Sequence, residues 1–334
     1  MSILSDISNP GELAEVIGVR ADRLLYHTRI LRSGGAYTHH TIPKRSGGVR
    51  EIHAPAPGLR AVQRRLNKLL QEAYDPKPSA HGFLTSRSIV SNAKPHTRKH
   101  WVLNLDLKDF FPSIHFGRVR GMLMGIPYHA SDDVATFIAQ LTTLRNEAGE
   151  HSFLPQGAPT SPIITNMICA RMDAQLQRLA KEARATYTRY ADDITFSTTL
   201  SHFPELIAET SPEAVKLSQG LLAIIRENGF EVNPDKTRLQ HYSQRQEVTG
   251  VIVNDGVNVS RKFIRNTRAM LHKWRMKGED SCQREMAQMY PKTIKSFRRV
   301  VEGRILFIQQ IRGKENYLVE KLWTQFRSLE NSRS

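Results

Sequence analysis

The chain has 334 residues, 40% of them apolar, enough for one large domain or two to three smaller ones with a real core. Its 48 Lys and Arg against 32 Asp and Glu leave a formal charge of +16, which points to a polyanionic partner, because clustered cations gain affinity by releasing counterions from phosphates. Two cysteines, Cys169 and Cys282, exclude a disulfide framework and a cysteine-based zinc set, and no apolar run or N-terminal leader pattern points to a membrane, so a soluble, cytoplasmic protein is expected.

In the first hundred residues short helices alternate with turn-rich segments. Residues 44–52 read as a hairpin with a Ser46-Gly47-Gly48 turn, which projects Lys44 and Arg50 from neighbouring strands. Spacing alone leaves open whether the two converge on one anionic object or are separate surface cations. Residues 61–70 have helical spacing and a basic face, and 102–106 form an apolar strand that ends in Asp106. Ser131 reads as an N-cap that places Asp132 and Asp133 in the first turn of a helix through Val134, Phe137, Ile138 and Leu141, where they complement the dipole and need no catalytic role.

A second adjacent pair, Asp192-Asp193, sits differently, between the β-branched and aromatic segments 185–190 and 194–198, at the tip of an expected hairpin. Two acids forced together there repel unless a cation lies between them. With Asp106 they make the ligand set of a two-metal phosphoryl-transfer site, since Mg2+ prefers oxygen ligands and a pair of ions activates the attacking hydroxyl and neutralises the triphosphate. Nucleotide polymerisation is the expected chemistry.

Further along, a helix is expected from Ser211 or Pro212 through Leu217, Leu221, Leu222 and Ile225 to Gly229, then a strand at Phe230-Glu231-Val232. Residues 247–259 read as a hairpin with an Asp255-Gly256 turn. From Gly256 onward 18 Lys and Arg face only 7 Asp and Glu, which puts eleven of the sixteen net charges in this segment. Its helices carry apolar faces (Phe263, Met270, Leu271, Trp274; then Phe297, Val300, Val301, Ile305, Ile308) with cations opposite. The pattern is α+β, with helices on one face of a small antiparallel sheet.

Leu105-Asp106-Leu107-Lys108-Asp109-Phe110-Phe111, the segment 154–162 (LPQGAPTSP) and Tyr190-Ala191-Asp192-Asp193 resemble the palm motifs of reverse transcriptases in order and spacing, from about Ile42 to at least Leu239. Asn92-Ala93-Lys94-Pro95-His96 and Val248-Thr249-Gly250 are similar to elements of the retron enzymes in particular, and no maturase or endonuclease extension of the group II intron kind is expected after Ser334. The resemblance implies a right-hand polymerase: N-terminal helices and fingers over 1–100, palm over 101–255 with a fingers segment at about 115–155, and a basic helical thumb over 256–334 that binds RNA.

It implies Asp106, Asp192 and Asp193 as ligands of two Mg2+ ions, with the Leu107 carbonyl added, and leaves Asp109 structural. Lys44 and Arg50 would hold the triphosphate, and Gln156 and Gly157 would lie against the nascent base pair. Lys236 would protonate pyrophosphate, against the alternative of a turn lysine in solvent. Phe111 would be the sugar gate and Phe110 a core residue, because adjacent strand-end aromatics face opposite ways; a core role for Phe111 is the alternative. Primer or RNA contacts would come from Asn92, His96, Val248, Thr249, Gly250, Arg261, Lys262, Arg265, Arg268, Arg298 and Arg299. The implied function is reverse transcription of a cognate structured noncoding RNA, from dNTPs and an internal 2′-hydroxyl, into branched msDNA, in antiphage defence with a separate effector protein. A group II intron or diversity-generating enzyme, or an msDNA-bound scaffold that restrains an effector, are the alternatives.

Overall fold

The computed structural model describes residues 2–32, 35–43, 47–145, 152–210, 215–289 and 296–331. Their contacts gather into two units. The first comprises Met1–Thr85, Leu103–Phe196 and His202–Leu239; the second comprises Ser86–Val102, Ser197–Ser201 and Gln240–Ser334. The division differs from the boundaries expected at 100 and 255, because Ser86–Val102 and residues 240–255 belong with the C-terminal helices.

In the first unit β1 (Tyr37–Pro43) pairs antiparallel with β2 (Val49–Pro55), Tyr37 opposite Pro55 and Pro43 opposite Val49. The expected hairpin is present, and Lys44 in its loop lies outside the described residues. Helix α1 (Pro57–Ala73) starts on a proline, whose missing N–H is harmless in the first turn. It buries Leu59, Val62, Leu66, Leu69 and Leu70 as one stripe and leaves Arg60, Arg64 and Lys68 exposed. After β3 (Trp101–Asp106) come α2 (Phe116–Met124) and α3 (Asp132–Thr142). The Ser131 hydroxyl accepts from the Val134 N–H at 3.3 Å, so Asp132 and Asp133 do occupy the first turn of a capped helix, and Asp132 also pairs with Arg120.

Helix α4 (Ser161–Glu182) leads into β4 (Thr186–Tyr190) and β5 (Asp193–Thr198), which flank a two-residue turn at Ala191-Asp192. Then come α5 (Gln219–Glu227) and β6 (Arg238–His241). The sheet order is β6-β3-β5-β4, with helices accompanying it as an α+β fold requires.

Two local expectations are corrected. Helix α5 does not reach back to residue 211: Val215–Leu217 pairs with Ala208–Thr210 as a strand, and the Ser218 hydroxyl caps the helix at the Leu221 N–H, 3.1 Å away. Residues 211–214 lie outside the described residues. A serine directly before the apolar stripe is a stronger start than a proline six residues upstream, and β-branched Val215 favours extension. Residues 230–232 form no full strand either; Val232 makes a single bridge to Leu107, and the Lys108 N–H donates to the Glu231 carbonyl at 2.8 Å.

The second unit contains a small hairpin, β7 (Glu247–Val248) and β8 (Val251–Ile252). Its turn is Thr249-Gly250, both at positive φ (+46° and +80°), as a two-residue hairpin turn demands. The Asp255-Gly256 turn expected for this hairpin lies one step further on, inside a loop closed by the Ile252–Asn258 bridge. Among the described residues four helices follow: α6 (Arg261–Lys277), α7 (Glu279–Met289), α8 (Phe297–Arg312) and α9 (Tyr317–Asn331). Their core centres on Trp274, edge-on to Phe297 at 6.0 Å and to Phe326 at 5.5 Å, with Val301, Ile305, Ile308 and Leu322 around it. Cys169 and Cys282 are both buried as free thiols. No helix among the described residues is long and apolar enough to cross a membrane.

Candidate active site

The Asp192-Asp193 turn is brought to the end of β3 by the backbone: the Leu107 N–H donates to the Asp192 carbonyl at 3.0 Å. Asp106 closes β3 and Asp193 opens β5, so the three expected carboxylates converge from two neighbouring strands. Asp106, Leu107, Asp192 and Lys236 line a cleft of about 940 Å³ together with Arg50 and Gln156. Asp106 is buried, and its Oδ1 accepts from the Lys236 ammonium at 2.8 Å.

Lost solvation holds the Asp192 carboxyl above its usual range, and Asp106 adds to that shift. Asp193 reaches solvent yet is pushed up to about 7, by lost solvation first and then by Asp192 and Asp106. Lys236 is raised by its hydrogen bond to Asp106, which keeps it protonated. Two carboxyls that resist ionising, set beside Asp106 with its ion pair to Lys236, form an all-oxygen donor set. That chemistry fits hard divalent cations such as Mg2+.

Below the turn lies a polar network that the sequence reading missed. Arg189, on β4, is fully buried and forks onto Asp173 of α4, Nε to Oδ1 at 2.8 Å and NH2 to Oδ2 at 2.7 Å. Tyr187 donates to the same Oδ1 at 2.7 Å, and Arg189 reaches the Asn166 Oδ1 at 3.2 Å. The guanidinium also donates to the Ala191 carbonyl at 3.0 Å, inside the turn that carries the acids. Ala191 is held at φ +57°, a costly conformation for a residue with a Cβ. Gly82 packs so closely there that a Cβ on it would lie 2.4 Å from the Ala191 nitrogen, and Asn166 donates to the Gly82 carbonyl at 2.9 Å. One signal was available: Asn166 and Asp173, seven residues apart, fall on the buried stripe of α4, which a helix does not leave polar without partners.

The other nucleotide-site candidates are placed unequally. Arg50, exposed on β2 opposite Ile42, lines the cleft. The Gln156 carbonyl accepts the His53 N–H at 2.7 Å, which fixes its loop to β2. Gly157 has φ +117°, and a Cβ there would come within 2.8 Å of the His53 carbonyl. The close approach that demands glycine is thus to the hairpin strand, where a bound nucleotide had been expected. Phe110 is 4% exposed and packs on Phe230 at 5.5 Å, while Phe111 is half-buried beside Phe83 at 6.0 Å. β3 ends at Asp106, so both rings sit in a turn and strand alternation is not what separates them. The residues bordering the cleft include Phe110 and Pro112 but not Phe111.

In the second unit the two short elements taken as RNA contacts meet each other. The Asn92 amide donates to the Thr249 hydroxyl at 3.3 Å, and the His96 Nδ1 lies 2.6 Å from the Ser197 hydroxyl. Asn92, His96 and Val248 are fully buried, with Asn92 bonded to the Thr249 side of the turn and His96 to Ser197, and of these five residues only Gly250 is exposed. Arg261, Lys262, Arg265 and Arg268 are exposed on α6, as are Arg298 and Arg299 on α8. Arg298 is already engaged with Glu330.

A family model described as reverse transcriptase (RNA-dependent DNA polymerase) matches residues 42–253. The chain is 41% identical over 280 residues to the retron Mx65 reverse transcriptase of Myxococcus xanthus, covering 78% of this chain and 62% of that one. It is 36% identical over 298 residues to the retron Mx162 reverse transcriptase of the same organism, covering 83% and 60%. To the retron Ec86 reverse transcriptase of Escherichia coli it is 30% identical over 275 residues, covering 81% and 78%. The chain spans about three-fifths of the length of the two Myxococcus relatives.

Proposed function

The chain belongs to the bacterial retron reverse transcriptases, and from that premise we propose that it acts as an RNA-directed DNA polymerase. The observation that carries the proposal is the convergence of Asp106, Asp192 and Asp193 from neighbouring strands, Asp106 and Asp192 lining one cleft, with the Asp192 and Asp193 carboxyls raised by lost solvation and by their acidic neighbours. Mg2+, held by Asp106, Asp192 and Asp193, would supply a lowered pKa for the attacking hydroxyl and neutralise charge on the triphosphate.

The chain's own residues do the positioning. Arg50 faces the cleft as a fixed cation for the triphosphate. Lys236, kept protonated by Asp106, is the group from which the leaving pyrophosphate would take a proton. The Gln156-Gly157 loop, bound to β2 through His53, sets the floor for the nascent pair. Phe111 discriminates against a ribose 2′-hydroxyl in this reading.

The partner is a structured RNA. Arg261, Arg265, Arg268 and Arg275 are exposed on one stripe of α6, about 21 Å long at the helical rise of about 1.5 Å per residue. Arg261 and Lys262 occupy the first turn, where cations oppose the helix dipole, a placement that an external polyanion makes favourable. The product is branched msDNA primed from an internal 2′-hydroxyl, and the setting is antiphage defence with a separate effector. The test is to purify the protein from its native locus and treat the bound nucleic acid with RNase and with DNase on a denaturing gel. A covalent species shortened by each nuclease is expected, absent from the Asp192→Ala/Asp193→Ala chain. Bound RNA with no covalently joined DNA would overturn it.

A further inference from the structure

The β1–β2 hairpin carries a cluster that the polymerase chemistry does not use. His39 and His53 are direct cross-strand partners, their ring centroids 5.0 Å apart, and Glu51 lies two residues from His53 on the same strand face. One ligand atom from each of the three lies within 4.8 Å of the others. We propose that His39, Glu51 and His53 form a second metal site that uses none of the aspartates, although Glu51 and His53 also border the cleft, and that takes a divalent transition metal of the zinc class, with water completing the shell.

The donor set decides the class of ion. Two imidazoles and one carboxylate are the ligand types of open zinc sites, whereas Mg2+ takes oxygen ligands and gains little from imidazole. Metal–ligand bonds of about 2.0 to 2.1 Å at tetrahedral angles put donors about 3.3 Å apart. The required closure from 4.8 Å is a rotamer adjustment, and His39 and Glu51 are exposed and free to make it. His53 is the anchored member, its ring edge-on to Phe153 at 5.3 Å. Glu51 forms no salt bridge among the described residues, so its carboxylate is available.

The site would act on the hairpin's rigidity. Bridging His39 to His53 pins β1 to β2 at the residue whose N–H holds the Gln156 carbonyl and whose own carbonyl touches Gly157. Metal there would stiffen the strand that supports this loop without using the aspartates.

Zn2+ binding to the full chain is measured by competition with a chromophoric chelator in excess Mg2+, for the wild type, His39→Ala, Glu51→Gln and Asp192→Ala/Asp193→Ala. The wild type and the Asp192→Ala/Asp193→Ala chain are expected to bind one tight Zn2+ that His39→Ala loses. The affinity drop should exceed the roughly 10- to 100-fold cost of losing an outer-shell partner. Glu51→Gln should weaken the same site, and Co2+ in place of Zn2+ should give a visible absorption band absent from His39→Ala. Equal stoichiometry and affinity in the wild type and His39→Ala would overturn the site. Loss only in Asp192→Ala/Asp193→Ala would move the metal to the aspartates and equally refute it, whatever the outcome for polymerisation. Circular dichroism of the exposed His39→Ala variant controls for folding.

Discussion

The chain contains two adjacent aspartate pairs, and their surroundings make them opposites. Asp132-Asp133 follow an N-capping serine in the first turn of α3, where the dipole favours negative charge and Arg120 engages one of them. Asp192-Asp193 sit at a turn with Asp106 beside them, lose solvation and resist ionisation. Beneath them a buried arginine is spent on holding the turn's backbone, and the acids themselves are left uncompensated. A pair of carboxylates that the fold leaves unneutralised is the kind that suits a divalent cation.

Exchanging each pair for alanine is the sharpest way to break that comparison. Asp192→Ala/Asp193→Ala should lower template-primed dNTP incorporation by several orders of magnitude. Asp132→Ala/Asp133→Ala should cost only about 1 kcal/mol of stability and leave incorporation near the wild-type rate. Comparable losses of incorporation in both variants would erase the distinction.

The support beneath the turn comes next in size. Arg189→Met leaves Asp173 buried without its partner, a change that costs about 3 to 5 kcal/mol. Denaturant unfolding should show it, and Arg189→Met/Asp173→Leu should recover much of the loss. If the double variant is no more stable than the single one, the ion pair is not the unit that holds β4 on α4.

A smaller effect is expected at the sugar. Phe111→Ala should relax dNTP-over-rNTP preference by about 1 to 3 kcal/mol in single-nucleotide incorporation. Phe110 borders the cleft and Phe111 packs on Phe83, so an unchanged preference would assign the gate elsewhere. Smallest per residue are the phosphate contacts. Arg265→Gln/Arg268→Gln should reduce the slope of log K against log salt by about 0.7 to 0.9 per lost contact. Arg298→Gln should change it less, because that side chain already faces Glu330. Filter binding at several salt concentrations separates the two.

Much of this was legible in the chain because it rests on local patterns. The capped helix at Ser131, the β1–β2 hairpin and the YADD tip all follow from residues within a few positions of one another. The Thr249-Gly250 turn was overlooked because Asp255-Gly256 is the stronger turn signal, and only strand pairing tells which of the two closes β7 onto β8. Arg189 was unreadable for a deeper reason. Its partners Asn166 and Asp173 are brought to it by tertiary packing, and in isolation it looks like any strand arginine. The same holds for Asn92 and Thr249, 157 positions apart and bonded to each other.

The central claim, that the crowded carboxylates await a divalent ion, is tested most directly by thermal unfolding with and without Mg2+ across pH. Asp193 has its folded-state value raised to about 7 from an ordinary 3.8. Its protonated form therefore favours the fold, and the metal-free chain should lose stability as pH rises from about 4 to 7 through this group. Mg2+ binds the ionised form, so its stabilising effect should be small at pH 6, larger at pH 8, and absent from Asp192→Ala/Asp193→Ala. A Mg2+ effect that is independent of pH, or as large in the double variant as in the wild type, would contradict the account.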